Sequence, residues 1–141
     1  MRAYKLAEME ANFAKKLTDS YGKKWKTGRG QFGTTLLHGN GSSFYYADEK
    51  PVPKTRILIH ATAGVLHGDI GELTKPNNHV SVHFVIARSG AVYQLFDTKN
   101  WSYHLGSGAT GTNTVMSKAS VAIELSNLGP LTLTKDDVLV D

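Results

Sequence analysis

The sequence predicts an α/β protein in which a mixed central β-sheet is flanked by helices and preceded by an N-terminal amphipathic helix. Three observations carry this prediction: two apolar runs typical of strands, an alternating pattern typical of a hairpin, and a helical repeat near the start. The 141 residues suffice for one domain with a buried core. A hydrophobic content of 40% and a charged content of 20% are ordinary for a globular protein.

The N-terminal segment has the pattern of a helix with one apolar face. Apolar residues recur at spacings of three and four, namely Leu6, Met9, Phe13, Leu17 and Tyr21. Gly22 then predicts the end of the helix. The basic, glycine-rich segment "KKWKTGRGQFG" follows, which is either a solvated connector or a contact for nucleic acid. The prolines of "DEKPVPKT" predict a boundary between an arm, residues 1–55, and the main body, residues 56–141.

Composition excludes several kinds of chemistry. The chain has no cysteine, so disulfides, thiolate metal ligands and a cysteine nucleophile are ruled out. A net charge of +4 and a pI of about 9.3 favour polyanionic surroundings such as nucleic acid, anionic membranes or bacterial wall polymers. Residues 1–20 lack the apolar centre of a signal peptide, and no run has the length of a membrane span.

The main body contains the strand patterns. "ILIHATAG", residues 57–64, predicts a short interior strand that stops at His60 and passes into small residues. "HVSVHFVIA", the turn "RSG" and "AVYQLFD" together predict a hairpin over residues 79–97. "GDIGELTK" predicts a short helix. "ASVAIELSN", residues 119–127, predicts a second interior strand with Glu124 embedded in it.

A few polar side chains stand where chemistry is possible. His60, at the end of a strand, suits a metal ligand, a catalytic base or a histidine bonded to backbone. Glu124 interrupts an apolar run, where an unpaired carboxylate is costly to bury, so it either reaches solvent or serves a polar site as a general base. His83 either faces a cleft or bonds to backbone, and His104 suits a ligand-lining wall or a surface. His67 and His79 are read as loop residues.

Four motifs follow one another along the chain, namely "ILIHATAG", "NNHVSVHFVIARSGAVYQLFD", "WSYHLG" and "SVAIELSNLGPL". In this order they resemble motifs of the zinc-dependent N-acetylmuramoyl-L-alanine amidases, a family that includes phage endolysins and is related in fold to peptidoglycan recognition proteins. They resemble, in turn, the strand that ends in the first zinc histidine, the hairpin under the substrate cleft, a segment lining that cleft, and the strand with the catalytic glutamate. The resemblance covers residues 56–131.

The resemblance implies a zinc hydrolase that cleaves the amide between N-acetylmuramic acid and L-alanine of the peptidoglycan stem peptide. His60 is then a zinc ligand and Glu124 the general base for a zinc-activated water. The implied substrate-binding residues are Thr62, His83, Trp101, His104 and Asn127. The partner is peptidoglycan. An endolysin-like protein stays in the cytoplasm until it is released to the cell wall, although a larger secreted or virion product is the alternative.

The sequence departs from this family after the glutamate strand. Members take two further zinc ligands, a histidine and an aspartate or cysteine, from a later segment. Here that region holds Asp136, Asp137 and Asp141 but no histidine, so the expected ligand segment is missing. A second hypothesis is therefore a non-catalytic module that binds peptidoglycan on the same scaffold. A third, nucleic-acid binding, depends only on the basic segment after the first helix.

Overall fold

The N-terminal helix is present and packs on the main body. The structure, a computed structural model, describes residues 3–21, 44–107, 109, 112–130, 132–133 and 139–140. Helix α1 spans Ala3–Tyr21, which confirms the predicted helix. Its Phe13 packs against the core, and Glu10 lies 3.6 Å from Nε of Arg88. The basic segment at residues 23–33 lies outside the described residues.

A mixed sheet forms the centre of the molecule, as predicted. The regular elements after α1 are β1 (Arg56–Ala61), α2 (Leu66–Leu73), β2 (Phe84–Ile86), β3 (Val92–Gln94), α3 (Asn113–Lys118), β4 (Ser120–Leu125), β5 (Thr132–Leu133) and β6 (Leu139–Val140). The main sheet has the order β1-β4-β2-β3. Strand β4 runs parallel to both of its neighbours, and β3 returns antiparallel to β2. Strands β5 and β6 pair separately.

Strand β1 is an edge strand, so the prediction of an interior strand there was wrong. Strand β4 enters the sheet between β1 and β2, which leaves β1 hydrogen-bonded on one side among the described strands. Ile57 and Ile59, which point to one face of the sheet, are 64% and 66% exposed, so that face of β1 is also largely uncovered. The apolar run marked a strand correctly, but an apolar run does not reveal on how many sides a strand is covered.

The hairpin and the central strand follow the prediction more closely. Strands β2 and β3 pair antiparallel within the predicted range, although the ladder is only three residues long on each side. Gly90 in the connecting turn has φ of +82°, a conformation that suits glycine. Strand β4 is the predicted interior strand, and its Ala122 is fully buried.

The core lies between the sheet and α2. Its fully or nearly fully buried apolar residues include Leu66, Val82, Val85, Leu95, Phe96 and Ala122. Phe44 is also buried there, so residues before the predicted boundary at 55 contribute to the core. Helix α2 begins at Leu66, which places His67 on a helix rather than in the predicted loop. None of the helices within the described residues has the length and apolar character needed to cross a membrane.

Candidate active site

The carboxyl ends of β1 and β4 bring the two most prominent polar residues of the sequence together. In the parallel register, His60 is the partner of Glu124. Side chains of paired residues in neighbouring strands point to the same face and stand roughly 5 Å apart at their backbones. Both side chains are partly buried. The sequence predicted each residue as a candidate but not that they would be neighbours.

The environment of Glu124 favours its protonated form. Burial raises the pKa of this carboxyl to about 7, and the nearby carboxylate of Asp69 contributes in the same direction. A group with this pKa can both accept and donate a proton at neutral pH.

Asp69 is a residue of the site that the sequence analysis missed. It lies in the first turn of α2, and its Oδ2 accepts hydrogen bonds from Thr62 Oγ1 at 3.1 Å and from Ser126 Oγ at 2.5 Å. A Cβ at Gly64 would stand 2.5 Å from Asp69 Oδ1, so a larger residue there would force this carboxylate to shift. The signal for Asp69 in the sequence was an acidic residue in the first turn of a helix. Because such residues are common at helix starts, this signal does not single out a functional residue.

Thr62 and Asn127, predicted to bind substrate, connect the ends of β1 and β4 to each other. The Asn127 N–H donates to Thr62 Oγ1 at 3.0 Å, and Thr62 Oγ1 lies 3.2 Å from the Asn127 carbonyl. The side-chain oxygen of Asn127 accepts from the Gly129 N–H at 2.8 Å. The polar groups of both residues are therefore engaged within the protein beside Glu124.

His104 lies against His60. His60 Nε2 and His104 Nδ1 are 3.2 Å apart, and the two rings meet edge to face at 72°. Burial, followed by the neighbouring His60, lowers the pKa of His104 to about 4, although the Ser117 backbone acts in the opposite direction. Burial also lowers the pKa of His60. Both rings are thus held in the neutral form, which is the form that binds metals.

His83 does not line a cleft, and the prediction that it contacts substrate is corrected accordingly. Its side chain is fully buried. Its Nε2 donates to the Asn100 carbonyl, and its Nδ1 accepts from the Ala122 N–H, each at 3.1 Å. Both ring nitrogens are therefore bonded to backbone, which was the alternative that the sequence left open.

Trp101 is a packing residue rather than an open surface for a sugar. It is 6% exposed, and its ring stacks on Tyr46 with the ring centroids 4.5 Å apart. Lys118 Nζ lies 4.9 Å from the centre of the same ring. Tyr103 meets Trp101 edge to face and shares a hydrogen bond of 3.1 Å with Thr114 Oγ1.

The donors at this site suit zinc, but only in part. Two imidazole nitrogens face each other, and neutral imidazole is a common zinc ligand. Within the residues that the structure describes, no group of three or more histidine, cysteine or carboxylate side chains converges as a metal site. The acidic residues Asp136, Asp137 and Asp141 lie outside the described residues.

Comparison with known proteins agrees with the motifs. The family described as N-acetylmuramoyl-L-alanine amidase matches residues 49–138. Neither the curated proteins nor the solved structures include a match to this chain. Members of the family are amidase hydrolases that act on peptidoglycan and are generally zinc-dependent. Since the match spans more than half of the sequence, the chain belongs to the N-acetylmuramoyl-L-alanine amidase family.

Proposed function

We propose that this protein hydrolyses the amide bond between the lactyl group of N-acetylmuramic acid and the L-alanine of the peptidoglycan stem peptide. The observation that carries the proposal is the pairing of His60 with Glu124 on adjacent parallel strands. It brings an imidazole and a carboxyl together on one face of a rigid sheet, which supports a proposal in which the first would bind a metal and the second would transfer protons. The family of the chain supplies the substrate class.

In this proposal His60 would be the residue that holds a zinc ion. When bound, zinc supplies a Lewis acid that polarises the amide carbonyl and acidifies water. Glu124 accepts a proton from the attacking water and returns a proton to the amide nitrogen as the C–N bond breaks. The products are the lactyl carboxylate and a free L-alanine amine.

The burial of Glu124 fits these two proton transfers. A carboxyl with an ordinary pKa near 4.5 holds a proton too weakly to deliver it to a leaving amine at neutral pH. A pKa of about 7 makes the ionised and protonated forms comparably populated. Asp69 contributes to this balance and is itself anchored by two hydroxyl groups.

The experiment uses the 141-residue protein with added zinc and a muramyl peptide, and it follows the released L-alanine amine by mass spectrometry. Glu124→Gln should retain zinc and lose cleavage by roughly a hundredfold or more, because general-base catalysis contributes about that much. His60→Ala should lose both zinc and cleavage. Glu72→Gln, at an exposed position on α2, is the matched control. Full activity in Glu124→Gln would refute the role of the base.

A further inference from the structure

We propose that His104 is a positioning residue that sets the tautomer of His60, so that His60 carries its proton on Nε2 and keeps Nδ1 open. The hydrogen bond between the two rings fixes this tautomer in the zinc-free protein. The consequence for a metal rests on the proposed function, whereas the tautomer itself does not. The sequence had predicted His104 only as a contact for substrate, and here it acts through His60.

The contact between the two rings is the first argument. His60 Nε2 and His104 Nδ1 lie 3.2 Å apart, within the range of an ordinary hydrogen bond. One of the two nitrogens must therefore carry the proton, and the other must present its lone pair. Since a neutral imidazole has a single N–H, the direction of this bond determines which nitrogen is protonated on each ring.

The far nitrogen of His104 decides the direction. Nε2 of His104 is buried, and no described group makes a hydrogen bond of good geometry to it. The Ser117 backbone nevertheless lies close enough to favour a proton on this ring, which identifies its carbonyl as the neighbouring group. A carbonyl can only accept, so a bare Nε2 would put two lone pairs against each other at a buried position.

A proton on Nε2 of His104 removes that conflict and assigns every other proton of the pair. With its one N–H directed at the Ser117 carbonyl, His104 presents the lone pair of Nδ1 to His60. His60 must then donate from Nε2. Because a neutral ring has no second proton, Nδ1 of His60 keeps its lone pair.

The surroundings of His60 agree with this assignment. Among the described residues, the structure gives Nδ1 of His60 no hydrogen-bond partner, so its lone pair is not used within the protein. Histidines that bind a metal through one nitrogen usually donate the N–H of the other nitrogen to a fixed acceptor. His104 would be that acceptor, and Nδ1 would be the nitrogen of His60 that meets the zinc ion of the proposed function.

The support of His104 makes it a fixed acceptor. The Tyr103 N–H donates to the His79 carbonyl at 3.0 Å. On the other side of the histidine, Asn113 Nδ2 donates to the Leu105 carbonyl at 2.7 Å. Both neighbours of His104 in the chain are thus tied to other segments. A ring on such a support holds the ring beside it in one orientation without a large ordering cost.

The test is the tautomer of His60, measured by long-range proton–nitrogen NMR on the isotope-labelled 141-residue protein at pH 7.5 in the presence of a chelator. The pattern of cross-peaks distinguishes a ring protonated on Nε2 from one protonated on Nδ1. His60 and His104 should each show a protonated Nε2 and a bare Nδ1. Loss of signals in His60→Gln identifies the resonances of that ring. A protonated Nδ1 on His60 in the wild type would overturn the inference, with no substitution at His104 needed.

Two variants of His104 separate positioning from packing. In His104→Asn the side-chain oxygen takes nearly the place of Nδ1 and accepts the same hydrogen bond, so His60 should keep its tautomer. In His104→Phe a ring remains but the acceptor is lost, so His60 should become a mixture of both tautomers. His67→Phe, at an exposed position on α2, should leave His60 unchanged. A single, unaltered tautomer of His60 in folded His104→Phe would show that His104 does not set it.

Zinc affinity, measured by competition with a chromophoric chelator, connects this role to the proposed function. His104→Phe should weaken zinc binding by about 10–100-fold, the range found when a supporting partner of a zinc ligand is removed, and His104→Asn should retain most of the affinity. The inferred tautomer in a protein that neither binds zinc nor cleaves the amide would uphold the role of His104 and refute the proposed function. Zinc-dependent cleavage with His60 protonated on Nδ1 would do the reverse.

Discussion

Acid should destabilise this protein through His83, and the structure gives the size of the effect. Burial lowers the pKa of His83 to about 4 from 6.5, and the hydrogen bond to the Asn100 carbonyl offsets only part of that fall. The Ala122 N–H already donates to Nδ1, so a second proton on the ring would meet a donor instead of an acceptor. The folded state therefore holds His83 in its neutral form.

The sign and magnitude follow from linkage. Between pH 6.5 and about 4 the unfolded chain binds a proton at His83 and the folded chain does not. The contribution to stability is therefore complete above pH 6.5 and is lost as the pH falls toward 4. At about 1.4 kcal/mol for each pH unit, the loss approaches roughly 3 kcal/mol. This is a large share of the 5–15 kcal/mol typical of a domain.

The assay is urea unfolding at several pH values between 7.5 and 4.5, in the presence of a chelator. His83→Gln should be less stable than the wild type at pH 7.5, but its stability should fall less steeply with acid, by about 1.4 kcal/mol per pH unit near pH 5. NMR titration of the His83 ring reports the same event without a substitution. Equal slopes in the two proteins, or a His83 resonance that titrates near 6.5, would refute the reasoning.

Three further predictions concern stability at neutral pH. Asp69→Ala removes the acceptor of two hydroxyl hydrogen bonds and should lower the free energy of unfolding by roughly 2–3 kcal/mol. Glu72→Ala, which removes one partner of an exposed ion pair on the same helix, should change it by less than about 1 kcal/mol. Equal losses in urea titrations would contradict the anchoring role. Gly129→Ala should lower the free energy of unfolding more than Gly90→Ala does. Both glycines have positive φ, but only at Gly129 would an added Cβ lie 3.1 Å from another side chain. Thermal unfolding of the two variants tests this order. Phe13→Ala should lower the free energy of unfolding by about 2 kcal/mol, since the ring packs on the core. It should also make α1 more sensitive to limited proteolysis. Unchanged cleavage rates would show that α1 is held by other contacts.

Local patterns predicted the elements of this fold well. The helical repeat of apolar residues predicted α1, the alternating pattern predicted the β2–β3 hairpin, and the apolar runs predicted β1 and β4. Helix α3 was missed because Asn113–Lys118 is too short to show a helical repeat. The exposure of β1 was not predicted because it depends on which other elements pack against the strand. The residues of the strand itself do not contain that information.

The candidate site was predictable only as separate residues. His60 and Glu124 stood out because each is a polar group in an apolar run. Asp69 did not, since an acidic residue in the first turn of a helix is ordinary. Its bond to Ser126 joins residues that are 57 positions apart in the chain, a contact that local sequence patterns do not reveal. The burial of His83 was equally hidden, because its partners are backbone groups, which leave no trace in the sequence.

What makes the site is the insertion of β4 between two strands that precede it in the chain. Because the strands are parallel, their carboxyl ends meet at one edge, and His60 faces Glu124 across the ladder. A shift of the register by one residue would turn Glu124 to the opposite face and separate it from His60. The hydrogen bonds of Thr62 and Asn127 connect the two strands just beyond this pair and resist such a shift. Thr62 and Asn127 thus support the proposed chemistry by fixing the register of the two strands. This role explains why their hydroxyl and amide groups are hydrogen-bonded within the protein.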